Sequence, residues 1–297
     1  MPTHILRPTW HFVTPADIRW LLILTAPRVH AVNASMLRKL GLESAVLKRS
    51  QTALAKILSG RQLTRTELRD ALQQAGISIL SGLHLAYILM SAELDGLICS
   101  GARRGKQFTY ALLDERAPPV ASLDRQTALT ELSRRYFQSR DPATVQDFDR
   151  WSGLTLADAR LGLEAVKSGL VQETLSGSAY WFPPLPPASI ELTSPAYLLS
   201  IYDEYISGYK YRSAIGEVEV GEKLFALGNA LSYIVVLDGQ IVGTWKRTLT
   251  RAGVTVHIDL FAQLSKRDLY AITAAQRYGA FLQLPVTFGQ GLSTAKS

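Results

Sequence analysis

Cysteine is almost absent: the 297-residue chain holds one, Cys99. A single thiol excludes an internal disulfide framework and any metal site built on several cysteines, and it points to a reducing compartment. Long apolar runs are missing too. The stretch from Leu21 to Ala26 stops at Pro27 and Arg28, far short of the roughly 18 residues that a spanning helix needs. The first residues, MPTHILRPTW, lack the charged-then-apolar layout of a secretion signal. A soluble, cytoplasmic protein is the expectation. The histidines, at positions 4, 11, 30, 84 and 257, fall at no metal-ligand spacing. Neither a phosphate-cradling glycine loop, a nucleophile elbow nor a paired His-Cys signature occurs, which argues against nucleotide hydrolysis and serine-type chemistry. No metal and no cofactor is indicated.

What is present is hydrophobic mass and positive charge. Hydrophobic residues make up 47% of the chain, enough to fill the cores of two or three domains at this length. Lys and Arg number 32 against 25 Asp and Glu, for a net charge of +7. That balance favours a polyanionic partner such as nucleic acid, although many basic proteins bind nothing anionic.

Local signals order the elements. Residues 4–13, HILRPTWHFV, read as an extended strand, rich in β-branched and aromatic residues with Pro8 blocking a helix. Thr14, Pro15 and Asp17 form a helix start, and helices are expected over about 15–31 and 44–58. Thr64 and Glu67 make a capping box ahead of ELRDALQQA, Gly76 stops that helix, and a second apolar segment runs from about Ile79 to Ala92. GLICSGA and FTYALL then alternate as two strands around a glycine-containing tip. Helix, turn, helix and hairpin in this order predict a winged helix-turn-helix over 14–117.

Beyond Pro118 and Pro119 the order recurs. A helix at about 123–138 is followed by a short one opened by Thr144 and Asp147 and ended at Gly153. A third, over 156–167, is capped by Thr155 and Asp158, and LVQET, SGS and AYWF form a second hairpin. This repetition predicts a second winged unit over 120–182. Four prolines in the five positions 183–187 make a stiff linker. After it, residues 190–297 read as a β-rich, barrel-like domain, with Asp238-Gly239 as a hairpin turn and a final helix capped by Ser265 and Asp268. The fold class expected is α+β: tandem winged helix-turn-helix units followed by a small β-rich domain.

Candidate functional residues follow from this frame. Arg103, Arg104 and Lys106 crowd the first hairpin tip beside Phe108 and Tyr110, where a wing would meet phosphates; a solvated hairpin tip is the plainer alternative. Lys246 and Arg247 follow Trp245 and pair cations with an aromatic face, although a buried tryptophan with solvated neighbours explains the same pattern. His11 between Trp10 and Phe12 is either a base or positioning group, or a hydrogen-bonded core residue. Asp203, Glu204 and Tyr205, followed by Lys210 and Arg212, are either an acid-base pair with a phenol or a salt-bridged hinge.

Four segments, ILRPTWHFVTPADIRWLL, DFDRWSGL, YDEYISGYKYRS and DGQIVGTWKR, together resemble the AlkZ/YcaQ-like family of winged-helix DNA glycosylases, in the family's order and over nearly the whole chain. The resemblance implies three tandem winged helices with a C-terminal β-barrel-like domain around a concave DNA-binding surface, and metal-free excision of bulky or cross-linking alkylated purines. It makes Arg103, Arg104, Lys106, Arg212, Lys246 and Arg247 the expected phosphate contacts. His11, Asp203 and Tyr205 would border the base pocket. The family's Gln-apolar-Gln motif lies ahead of the segment matching HILRPTWHFV, and no Gln-x-Gln occurs in these 297 residues. The expectation is therefore that residues 1–13 are the residual wing strand of a missing first unit, either lost together with catalysis or cut off by a start codon placed too late, that this chain is catalytically impaired, and that the exposed N-terminal strand allows self-association. An active monofunctional N-glycosylase and a winged-helix regulator or interaction scaffold stand as alternatives.

Overall fold

Residues 1–13 do not form one strand. In the computed structural model they fold into a hairpin, β1 (Pro2–His4) against β2 (Trp10–Phe12), antiparallel with Thr3 opposite His11. Pro8 is the reason: it sits inside a tight reversal that Thr9 N–H closes onto the Arg7 carbonyl at 2.7 Å, a turn for which its fixed φ is suited. The structure describes residues 1–117, 123–184, 196–210, 215–216, 233–261 and 268–289, and the chain divides into two compact units, Met1–Pro184 and Leu185–Ser297.

In the first unit, α1 (Ile18–Lys39) outruns the expected end near 31 and carries Pro27 in its interior. A mid-helix proline costs about 3 kcal/mol. Ile18, Trp20, Leu22, Leu24 and Val29 are buried on both sides of it, which gives the helix the tertiary support to continue. Next come α2 (Ser44–Leu58), the two-residue β3 (Leu63–Thr64), α3 (Arg65–Gln74) and α4 (Gly82–Leu94). Thr64 and Glu67 form the capping box at the start of α3, and Ser81 caps α4. Strands β4 (Ile98–Ser100) and β5 (Thr109–Leu112) complete a three-stranded sheet ordered β3-β5-β4. Leu54, Leu58, Leu68, Leu72, Leu85, Ile88, Leu89 and Ile98 fill the core between these helices and the sheet.

A short α5 (Leu113–Arg116) leads on to α6 (Arg125–Ser139), α7 (Val145–Ser152) and α8 (Leu156–Val166). Thr144 and Asp147 form a second capping box at α7. Tyr136, Phe137, Phe148 and Trp151 pack as an aromatic cluster with ring centroids 4.9–6.5 Å apart. Strands β6 (Val171–Leu175) and β7 (Ser178–Phe182) make a hairpin, and Ala143 pairs with Trp181 through two backbone hydrogen bonds of 3.1 and 2.8 Å. The arrangement repeats a pattern seen earlier in the chain. In each half a short β contact immediately precedes a Thr-capped helix and adds an edge to a hairpin that comes two helices later.

The second unit contains β8 (Ala196–Leu199), the one-turn α9 (Glu204–Ser207), β9 (Ile234–Leu237), β10 (Gln240–Leu249), β11 (Val254–Leu260), α10 (Asp268–Leu282) and β12 (Val286–Phe288). The β9–β10 turn has positive φ at both Asp238 (49°) and Gly239 (77°), the backbone that this dipeptide favours. Where a barrel-like domain was expected, the described strands form an open sheet ordered β12-β11-β10-β9-β8, with β12 parallel to β11. Ser265, expected to cap the last helix, lies outside the described residues. Among the described residues, no helix is long and apolar enough to cross a membrane.

Candidate DNA interface and the N-terminal hairpin

The first hairpin tip separates its three cations. Arg104 is tied down: Nη1 donates to Glu67 Oε1 and Nη2 to the Gln62 carbonyl, both at 2.7 Å. Glu67 is thus shared between the α3 capping box and the wing, and hydrogen bonds from Thr64 and Arg104 hold its carboxyl below the ordinary range. Arg103 instead lies 4.8 Å above the Phe108 ring and donates to the Lys106 carbonyl at 3.3 Å. Lys106 is exposed. Of the three, Arg103 and Lys106 have no carboxylate partner within ion-pair distance among the described residues.

The wing touches the N-terminal hairpin. Phe108 and Tyr110 meet the Trp10 ring edge-on at centroid distances of 5.4 and 6.2 Å. Trp10 is therefore only 36% exposed, whereas Phe12, on the same face of β2, is 86% exposed. Beneath Trp10 lies a fully buried acid, Glu93 of α4, whose Oε2 meets His4 Nδ1; the Trp10 indole N–H points at the same nitrogen from 3.0 Å. Burial pushes the Glu93 carboxyl upward, against the opposing pull of His4. Burial likewise raises the Cys99 thiol to about 11, so the one cysteine is a buried, protonated hydrophobe.

His11 faces away from Trp10 and Phe12. Its Nε2 accepts from Arg7 Nη2 at 3.1 Å. Burial, and next the adjacent Arg7 charge, lower the imidazole to about 4, so it is neutral at physiological pH. Asp203 and Tyr205 belong to the second unit. Asp203 caps α9, its Oδ1 accepting from Tyr205 N–H at 2.9 Å, while the Tyr205 hydroxyl donates to the Gly239 carbonyl at 2.6 Å and ties α9 to the β9–β10 turn. Asp203 and Tyr205 thus share a corner of the second unit, whereas His11 belongs to the first. Trp245 is buried and donates to the Leu199 carbonyl at 2.8 Å, with Tyr233 and Tyr278 edge-on at 5.2 and 5.3 Å. Arg247 lies 5.4 Å above Tyr278. Lys246, one residue earlier, takes the opposite face of β10. Arg212 lies outside the described residues. Among the described residues, no group of three or more His, Cys, Asp or Glu side chains is placed to hold a metal ion.

Comparison with known proteins decides the family: the model for AlkZ-like DNA glycosylases matches residues 1–281. The chain belongs to the AlkZ-like DNA glycosylase family. A relative, the interstrand DNA cross-link repair glycosylase of Streptomyces sahachiroi, is 25% identical over 273 residues, covering 83% of this chain and 70% of the relative. The solved structure of the DNA glycosylase AlkZ from the same organism superposes with a TM-score of 0.74 at 21% identity, covering 97% of this chain and 81% of that one. That likeness concerns the fold, which is mixed α+β in this family member as expected.

Two features of this AlkZ-like chain escaped the sequence reading. The His4–Glu93 pair joins residues 89 positions apart. Arg7 approaches Arg150 across 143. Each residue is unremarkable among its neighbours in sequence, and no spacing signal announces either pairing.

Proposed function

We propose that the chain is a double-stranded-DNA-binding repair protein of the glycosylase type, in which two winged-helix units, 14–117 and 120–182, precede a β-rich domain at 190–297. The observation carrying this reading is the recurrence of one arrangement within the first unit: a β contact, a Thr-capped helix, a second capped helix and a hairpin, first at Leu63–Leu112 and again at Ala143–Phe182. Helix-turn-helix followed by a hairpin wing is a DNA-docking motif, and the net charge of +7 suits a polyanion. Arg103 and Lys106 at the first wing, with Lys246 and Arg247 on β10, contact phosphates in this reading. The uncharged tip Ser176-Gly177-Ser178 gives the second hairpin an architectural role.

The relative's described action, repair of interstrand cross-links, makes alkylated duplex the substrate class to test. These 297 residues contain no Gln-x-Gln, so this chain is expected to bind such DNA while releasing little base. Purified protein is incubated with duplex carrying one bulky alkylpurine, and both retention of the duplex and release of free base are measured. Binding without release supports the reading. Release at rates well above spontaneous loss establishes an active N-glycosylase and overturns impairment. Absence of any salt-sensitive binding overturns the DNA assignment itself.

A further inference from the structure

Arg7 is a half-buried cation whose hydrogen-bond acceptors are both neutral. Nη2 donates to His11 Nε2 at 3.1 Å and Nη1 reaches the Arg150 carbonyl at 3.4 Å, near the C-terminal end of α7. Among the described residues no carboxylate lies within ion-pair distance of Arg7. Two more guanidiniums crowd it, for after burial the largest influences lowering its pKa are the charges of Arg150 and Arg140. Arg140, at the end of α6, stacks 4.7 Å above Trp151 and so is held on the α7 side of the cluster. Across the hairpin from His11, Thr3 is fully buried and its Oγ1 has no hydrogen-bond partner.

The backbone is built to keep these groups together. Gly153 ends α7 at φ 69°, and a methyl group added there would overlap the Leu6 carbonyl oxygen and lie 3.1 Å from Arg7 Cγ. The hairpin turn is thus pressed directly onto the end of α7, which fixes the stem of Arg7 beside Arg150. Arg7 and Arg150, brought together by packing with no carboxylate within ion-pair distance of Arg7 among the described residues, repel one another and lose hydration. A doubly coordinating oxyanion relieves both costs, since guanidinium forks match phosphate oxygens bidentately.

We propose that Arg7, Arg150 and His11 form a binding site for a phosphate oxyanion. The phosphate is either a backbone phosphodiester of DNA or a free phosphate group, and both would engage the same donors. The DNA source rests on the DNA-binding reading above. Burial, and next the Arg7 charge, lower the His11 imidazole; an anion seated on Arg7 offsets the second of these, so His11 reports the occupied site.

The test uses the full chain with ¹³C-labelled histidine, the His11 signal being assigned by its loss in His11→Gln. Unmodified duplex DNA and inorganic phosphate are titrated separately, and duplex affinity is measured against salt for wild type, Arg150→Gln and Arg150→Lys. Arg150 is exposed at the end of a helix, so its substitution leaves the core intact. With a phosphodiester in the site, duplex shifts the His11 signal, Arg150→Gln weakens duplex binding about tenfold and lowers the log–log salt slope by about one, and Arg150→Lys restores most of the loss. A His11 shift with inorganic phosphate and none with bound duplex assigns the site to free phosphate. Duplex that binds with an unmoved His11 signal, together with no response to phosphate, overturns the site and leaves DNA binding standing. Phosphate that shifts His11 while duplex fails to bind overturns the DNA reading and leaves the anion site standing.

Discussion

Arg104 at the wing tip is bound to Glu67 at the first turn of α3, Nη1 to Oε1 at 2.7 Å, so the helix cap and the hairpin share one carboxylate. This divides the labour within the Arg103–Lys106 cluster. Arg104→Gln is expected to lower the melting temperature by loosening the wing while leaving the salt slope of DNA binding within error. Arg103→Gln and Lys106→Gln should each lower that slope by up to about one and leave melting unchanged. Fluorescence anisotropy over a salt series, with melting curves on the same variants, separates the two effects. A drop in slope for Arg104→Gln alone would reverse the assignment.

Gly153 and Gly60 share positive φ, 69° and 63°, but differ in what surrounds them. Gly60 has open space where a side chain would go, and Gly153 has the Leu6 carbonyl. Gly60→Ala should cost about 1–2 kcal/mol for the left-handed backbone alone. Gly153→Ala should cost about 1–3 kcal/mol more, because the N-terminal hairpin must move off α7. Urea unfolding of both variants reads the difference. Equal costs would mean that the hairpin is not pressed onto α7 as described.

The parts of the fold that were legible in the sequence are local. Thr64 with Glu67, Thr144 with Asp147 and Asp238 with Gly239 each act within four residues, and each forms the cap or turn that its pattern implies. The reversal at Arg7-Pro8-Thr9 was hidden because β-branched and aromatic residues on both sides read as one continuous strand, and Pro8 is compatible with extension and with a turn. The end of α1 falls at Lys39 and not near residue 31, because burial of Val29 and Asn33 gives the helix tertiary support beyond Pro27 that no local signal carries. The site is less legible than the fold. Whether a wing arginine is free or neutralised depends on Glu67, 37 positions away, and Arg7, which Arg150 crowds in the fold, stands alone in sequence. Only packing brings it to Arg150.

Acid should weaken the fold through His11. Its imidazole takes up a proton near pH 6.5 in the unfolded chain but only near 4 in the folded one, because of burial and then Arg7. The contribution to stability is fully present above about pH 6.5 and is lost as pH falls through that window towards 4. Allowing for partial exposure, it amounts to about 2 kcal/mol. His11→Gln cannot ionise, so its stability relative to wild type should rise by that amount between pH 7.5 and 4.5 in urea midpoints. A constant difference would show that His11 is accessible to protons in the folded state.

Glu93 should act in the opposite sense. Burial raises its carboxyl above the unfolded value near 4.5, with His4 opposing. Below that value both states are protonated. As pH rises through it the unfolded chain releases its proton while the folded chain retains it, so stability falls until the folded group also ionises, and is level thereafter. Each unit of displacement removes about 1.4 kcal/mol. Glu93→Gln keeps the shape, offers an amide N–H to His4 Nδ1, and cannot ionise. Its stability relative to wild type should therefore increase between pH 4 and neutrality, the reverse of the trend for His11→Gln over the same range. A flat difference would mean that Glu93 titrates in the folded chain as it does in the unfolded one, whereas a relative stability that falls as pH rises would mean that Glu93 is charged throughout, that its contact with His4 is an ion pair, and that Trp10 covers a salt bridge instead of a neutral carboxyl.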